Sequence, residues 1–147
     1  GELHAGLIAD GFHAHTESMK AALRAKTGPG NIHLVTDAMS TVGSDISEFR
    51  LNERLIQRRA GRLTLEDGTL AGADIDMNSC VRNARDILGA SAHEALRMAS
   101  LYPARCIARP DEIGSLRPGS KADFVHLDGN FKVQAVYTRG NAAVAAC

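Results

Sequence analysis

Ile32-His33-Leu34-Val35-Thr36-Asp37-Ala38 is the stretch on which the reading of the chain turns. A short run of Ile, Leu and Val, entered from the Gly28-Pro29-Gly30 breaker and left through small polar residues, has the texture of a strand buried on both faces of a parallel sheet. Such strands carry chemistry at their carboxyl ends, and Asp37 stands there. An aspartate in that place either turns the loop that follows or supplies a catalytic carboxylate.

Upstream, Ala5-Gly6-Leu7-Ile8-Ala9-Asp10 repeats the pattern of an apolar run ending in an acid, and Gly11-Phe12-His13-Ala14-His15 follows at once. The pattern predicts a strand over 6–9, a loop over 10–15, and a helix capped by Thr16 with Met19, Ala22 and Leu23 at helical spacing through about Lys26. Thr27-Gly28-Pro29-Gly30 ends that helix. Strand, helix and strand in roughly thirty residues make a βαβ unit, whose crossover forces the strands to run parallel. The Asp10–His15 loop and Asp37 therefore share one rim.

The remaining chain has two textures. Phe49-Arg50-Leu51, Leu55-Ile56-Gln57-Arg58 and Arg62-Leu63-Thr64-Leu65, punctuated by Asn52-Glu53, Ala60-Gly61 and Asp67-Gly68, read as antiparallel hairpins. Asn78 to Leu88 reads as a helix with an apolar stripe of Val81, Ala84, Ile87 and Leu88. Ser91-Ala92-His93-Glu94 is a capping box opening a helix expected to bury Leu96, Met98 and Ala99 and to close at Tyr102-Pro103. Strands return at 122–127, 133–137 and 142–144. This order predicts an α/β fold in which discontinuous segments build a small β-domain beside an α/β barrel. A complete barrel needs about 250 residues, so 147 residues hold at most its last quarter. The start at Gly1 rather than Met agrees with a piece of a longer protein.

Composition bounds the function. Seventeen basic residues balance seventeen acidic ones, and without a basic excess nucleic acid is not expected as a partner. Apolar runs are too short to span a bilayer and no signal peptide opens the chain, so a cytoplasmic protein is expected. Cys80, Cys106 and Cys147 form no Cys-x-x-Cys pair and are expected as reduced structural thiols. With no Trp, the core falls to Ala, Leu, Ile and Val.

His13-Ala14-His15 invites a metal reading, but a catalytic metal needs about three protein ligands. The sequence pattern offers no third, so no metal ligand set is expected in this chain. His13 is expected to contact substrate, His15 to lie exposed in the loop, and His33 to be a satisfied core or interface histidine. His4, His93 and His126 show no convergent partners in sequence. Gly68-Thr69-Leu70-Ala71-Gly72-Ala73 reads as a small-residue loop, either a tight turn or a close backbone approach to a ligand.

Taken together, Gly6-Leu7-Ile8-Ala9-Asp10-Gly11-Phe12-His13, Leu34-Val35-Thr36-Asp37-Ala38-Met39, Gly68-Thr69-Leu70-Ala71-Gly72 and Ala99-Ser100-Leu101-Tyr102-Pro103-Ala104-Arg105 resemble the N-acetylglucosamine-6-phosphate deacetylases. The block from Ile113 to Phe124 resembles the wider amidohydrolase superfamily. The resemblance implies the C-terminal part of a metal-dependent (β/α)8 TIM barrel plus strands of a small β-sandwich. Its implied division is 1–48 as the last βα units, 49–66 as sandwich or hairpin strands, 67–110 as a barrel-closing loop and helices, and 111–147 as the C-terminal sandwich strands. It further implies Asp37 as the catalytic general base and acid, and Asp10, Gly11, Phe12, His13, Leu70, Ala71 and Gly72 as substrate-contacting residues. A divalent metal, zinc or similar, would be held by a Glu and two His in an absent part of the barrel. The implied partners are an amino-sugar phosphate, the rest of the barrel and a second copy in a homodimer. Another amidohydrolase activity on a different amide, or a noncatalytic sugar- or protein-binding α/β module, are the competing readings.

Overall fold

The structure, a computed structural model, describes residues 2–145. The expectation for Cys147 falls outside the described residues. β1 (Ala5–Ile8) and β2 (Ile32–Val35) pair in parallel, Ala5 opposite Ile32 through Ile8 opposite Val35. α1 (Thr16–Ala25) is the crossover. His15, not Thr16, is its cap, the Nδ1 accepting from the Glu17 backbone N–H at 3.3 Å. After α1 the chain passes so close to its own start that a Cβ on Gly30 would sit 2.2 Å from the Leu3 carbonyl oxygen. No side chain fits there without backbone movement.

The parallel pair packs one face against helices. Leu7, Ala9, Ile32 and Leu34 join Met19, Val81, Ala84, Leu88, Ala95, Met98 and Tyr102 in the core. Ile8, His33 and Val35 alternate to the other face and are only half-buried. The expectation of burial on both faces therefore fails among the described residues, whose elements leave the second face only half-covered.

β3 (Glu48–Leu51), β4 (Arg54–Arg59), β5 (Arg62–Thr64) and β6 (Leu70–Ala73) form an antiparallel meander in chain order. The turns at Asn52-Glu53 and Ala60-Gly61 each place both residues at positive φ, as two-residue hairpin loops require. The segment read as a loop over Gly68–Ala73 is thus mostly strand. It pairs with β5, so the fourth strand of this sheet comes from beyond the 49–66 segment.

α2 (Met77–Asp86), α3 (Ala92–Ala99) and α4 (Leu101–Cys106) follow. Asp76 caps α2 by accepting from the Ser79 N–H at 2.8 Å, and Ser91 caps α3 by accepting from the Glu94 N–H at 3.2 Å. Two expected core positions are corrected. Ile87 falls past the last turn of α2 and is exposed, and Leu96 is 39% exposed while Ala95 and Met98 take the inward face. Tyr102-Pro103 does not end a helix but lies within the first turn of α4, where a missing proline N–H costs nothing. β7 (Phe124–Leu127), β8 (Val133–Thr138) and β9 (Asn141–Ala145) close the described chain as a separate antiparallel sheet. Phe124 and Tyr137, opposite one another, stack with ring centroids 4.4 Å apart. Cys80 is buried and Cys106 exposed, both as free thiols, and burial pushes the Cys80 thiol up to about 11. No described helix is long and apolar enough to cross a membrane.

Candidate active site

Side chains connect the loops leaving β1 and β2 at the rim. Asp10, just past β1, folds back on its own loop: Oδ1 accepts from the backbone N–H groups of Phe12 at 2.9 Å and His13 at 3.0 Å. Its Oδ2 lies 2.7 Å from His13 Nδ1, and its side chain is only 5% exposed. Burial, the largest single influence, pushes this carboxyl upward. The backbone amides of His13 and Phe12 and then the His13 ring outweigh it and hold Asp10 below its ordinary range. An ionised Asp10 can only accept, so His13 carries its proton on Nδ1 and turns Nε2 outward.

Nε2 faces Asp37, with Oδ2 3.3 Å away. Asp10, His13 and Asp37 thus form one line across the carboxyl ends of two parallel strands. The Asp37 side chain is 55% exposed and free to meet a ligand. Its backbone has φ of 53°, a left-handed conformation that aspartate tolerates better than most residues but that still costs about 1 kcal/mol or more. What holds it there is an isolated bridge to β6. The Ala73 N–H donates to the Asp37 carbonyl at 2.9 Å and the Met39 N–H donates to the Ala73 carbonyl at 3.3 Å.

The other expected contact residues divide. Gly11 turns the loop at φ of 77°, and Phe12 stands exposed with the Arg62 guanidinium carbon 4.8 Å above its ring. Leu70 and Ala71 line a cleft of about 520 Å³ on the β3–β6 sheet together with Leu51, Arg54 and Ile56. Gly72 is buried beneath Met39, where an added Cβ would lie 2.5 Å from Sδ. It therefore backs the Asp37 loop from within the sheet.

Two anchors escaped the sequence reading. Arg58 of β4 pairs with Asp74, just past β6. Its Nε is 2.7 Å from Oδ2, and Nη2 donates to Oδ1 at 2.8 Å. Arg58 also donates to the carbonyls of Thr41 and, at 3.0 Å, Ser44, while the Thr41 hydroxyl donates to Asp74 at 2.9 Å. The loop leaving Asp37 is clamped to the meander by these bonds. The second anchor is Asn83 of α2, whose amide donates to the Ala9 carbonyl at 2.7 Å, directly before Asp10. Sixteen and seventy-four residues separate these partners, so no local spacing announces them.

Among the described residues no three ligands converge on Asp37. The convergent set lies elsewhere: one atom each of His4, His33 and Cys106. This corrects the expectation that His4 lacks partners and that His33 is satisfied. His33 Nδ1 is buried without a hydrogen bond, and burial, then the nearby His4, hold its imidazole below the usual range.

The Amidohydrolase family model matches residues 5–143. An N-acetylgalactosamine-6-phosphate deacetylase of Shewanella sp. (strain ANA-3) is 42% identical over 137 residues, covering 93% of this chain and 34% of that protein. An N-acetylglucosamine-6-phosphate deacetylase of Danio rerio is 34% identical over 136 residues, 92% of this chain and 33% of its own length. The crystal structure of N-acetylglucosamine-6-phosphate deacetylase from Pasteurella multocida superposes with a TM-score of 0.93 at 29% identity, covering 99% of this chain and 38% of that one. The chain therefore spans about a third of the length of these relatives.

Proposed function

Because the chain belongs to the amidohydrolase family, we propose that it is the C-terminal part of a deacetylase of 6-phosphorylated N-acetylhexosamines, with Asp37 as the proton-shuttling acid. The observation that carries this reading is the Asp10–His13–Asp37 line at the carboxyl ends of β1 and β2. The products are the free amino sugar phosphate and acetate. The relatives divide between galacto and gluco substrates, so the proposal names the class that both epimers share.

The placement of the chain within a larger barrel rests on its sheet. β1 and β2 form a two-stranded parallel sheet, β1 has no second neighbour among the described residues, and one face is left half-covered. Its open strand edges are places where further strands would pair. No further parallel strand follows β2 among the described residues, which supports a place for this unit at the end of the barrel.

The chemistry follows from this chain's own groups. Asp37, exposed at the rim, takes a proton from the water attacking the acetamide carbonyl and returns it to the departing amine. Such a shuttle contributes about 10²–10⁴-fold. His13, fixed through Nδ1 by Asp10, presents Nε2 beside that carboxylate. There it steadies the protonated acid and holds a sugar oxygen. A divalent cation, when bound, activates water and polarises the carbonyl. At Asp37 it would have to be held by residues outside this chain, and no step here is assigned to it.

The test is Asp37→Asn in the intact protein, assayed by acetate release from both N-acetylgalactosamine 6-phosphate and N-acetylglucosamine 6-phosphate. The expected result is a fall of about 10²-fold or more in kcat with substrate binding nearly unchanged. Equal turnover in the variant removes Asp37 from the mechanism, and no turnover of either sugar phosphate by the unmutated protein removes the substrate class.

A further inference from the structure

The half-covered face of the parallel sheet carries a second constellation, far from the rim. Gly6 pairs with His33 across the two strands, and a Cβ on Gly6 would come within 3.8 Å of His33 Nε2. The imidazole lies over the space that the glycine leaves. His4, two residues before Gly6, reaches the same place, and α4 ends there with Cys106. One ligand atom from each of the three lies within 4.8 Å of the other two. His33 and Asp37 are four residues apart on an extended chain, about 13 Å, so this cluster is separate from the candidate active site.

We propose that His4, His33 and Cys106 form a zinc site that ties the start of β1 to β2 and to the end of α4. Two imidazoles and one thiolate are a borderline-soft donor set that suits zinc better than magnesium or calcium. The independent observation is His33 Nδ1, buried without a hydrogen-bond partner. Burying such an atom costs about 1–3 kcal/mol unless something satisfies it, and polar atoms left in this state mark an absent ion or partner. In tetrahedral zinc the donor atoms stand about 3.3–3.6 Å apart, from bonds of about 2.0–2.3 Å. The cluster must contract by about 1 Å, and Cys106, exposed at a helix end, is free to turn inward. His4 Nδ1 accepts from the Asn31 N–H at 3.2 Å. Ligation therefore requires that long bond to be exchanged or the ring to flip. A fourth position stays open to water. An ion held there ties three chain segments together, one strand length from the rim.

The thiolate makes the site separately visible. Metal-stripped intact protein is titrated with cobalt(II), which occupies zinc sites and gives a near-ultraviolet charge-transfer absorption only where sulfur is a ligand. The expected result is that band, accounting for one cobalt per chain beyond the ion taken up at the deacetylase site, abolished in Cys106→Ser and weakened at least tenfold in apparent affinity in His4→Gln. Circular dichroism establishes that both variants stay folded. Cys80 cannot supply the band, being buried in the core with a thiol raised to about 11. A folded unmutated protein that shows no thiolate-to-cobalt absorption overturns the site, and so does a band that survives in Cys106→Ser. Acetate release is not part of the readout, so failure of the deacetylase reading would leave this result standing.

Discussion

Asp10→Asn isolates what the rim's inner carboxylate does. An asparagine keeps the shape and keeps Oδ1 as acceptor for the Phe12 and His13 amides. It replaces Oδ2, 2.7 Å from His13 Nδ1, with an NH2 group that can only donate. Nδ1 must then give up its proton to accept, and the proton moves to Nε2. Nε2–H now donates to Asp37 Oδ2, 3.3 Å away. That bond favours the ionised form of Asp37 and makes it a poorer base. The expected loss is about 10²-fold in kcat, or about 2.7 kcal/mol of transition-state stabilisation, with KM changed little. Loss of a charged acceptor also costs about 1–2 kcal/mol of folding stability. The sign with pH follows from the lowered Asp10 pKa. A depressed carboxyl stabilises the fold above its unfolded value of about 3.9, and the contribution is lost as pH falls through the lower folded value. Urea unfolding of the two proteins should therefore differ at neutral pH and converge below about pH 4. A kcat within threefold of the unmutated enzyme, with the fold intact, refutes the tautomer argument. A stability gap that persists unchanged into strong acid refutes the linkage.

Other expectations test the supports around Asp37. Gly72→Ala puts a Cβ 2.5 Å from Met39 Sδ at a φ of 153° that L residues rarely adopt; it should cost about 1–3 kcal/mol and lower kcat, and adding Met39→Ala should restore the steric part of both but not the backbone strain, as a double-mutant cycle in urea denaturation and acetate release will show. Arg58→Met leaves Asp74, whose side chain is only 11% exposed, without its cation. The expected cost is about 2–3 kcal/mol in urea unfolding, discounted because Arg58 is itself partly solvated, with a parallel fall in kcat as the Asp37 loop loosens.

Local pattern was enough for the parts of the molecule that local physics decides. The βαβ unit, the hairpin punctuation at Asn52-Glu53 and Ala60-Gly61, and the Ser91 cap all rest on neighbours a few residues apart, and each is present. The juxtaposition of His13 with Asp37 was legible for the same reason, since a right-handed crossover leaves parallel strands no other arrangement. Leu96 failed because a capping box fixes where a helix begins but not how it is rotated on its neighbours; Ala95 and Met98 won the inward face. Tyr102-Pro103 misled because proline is an equally good first-turn residue. His33 read as satisfied because an apolar strand conceals which way a ring points, and its neighbours His4 and Cys106 come from a preceding segment and from a helix end seventy-three residues downstream.

The placement of β6 changes what the Asp37 rim depends on. A residue at a strand end is usually held by its own strand and loop, yet Asp37 sits at a φ of 53° that its own sequence does not favour. The bonds that hold it run to Ala73, and those that hold the loop beyond it run to Asp74 and Arg58. All three belong to the antiparallel meander or its immediate exit. The meander's length and hairpins are therefore not decoration on an α/β core. A β-sheet inserted after β2 returns its last strand to grip the end of β2, and the torsional strain at Asp37 is sustained by hydrogen bonds to Ala73, thirty-six positions later. Weakening the meander should then be felt at the carboxylate before it is felt in the helical core, because Leu34 and its helix contacts share no strand pairing with β3–β6.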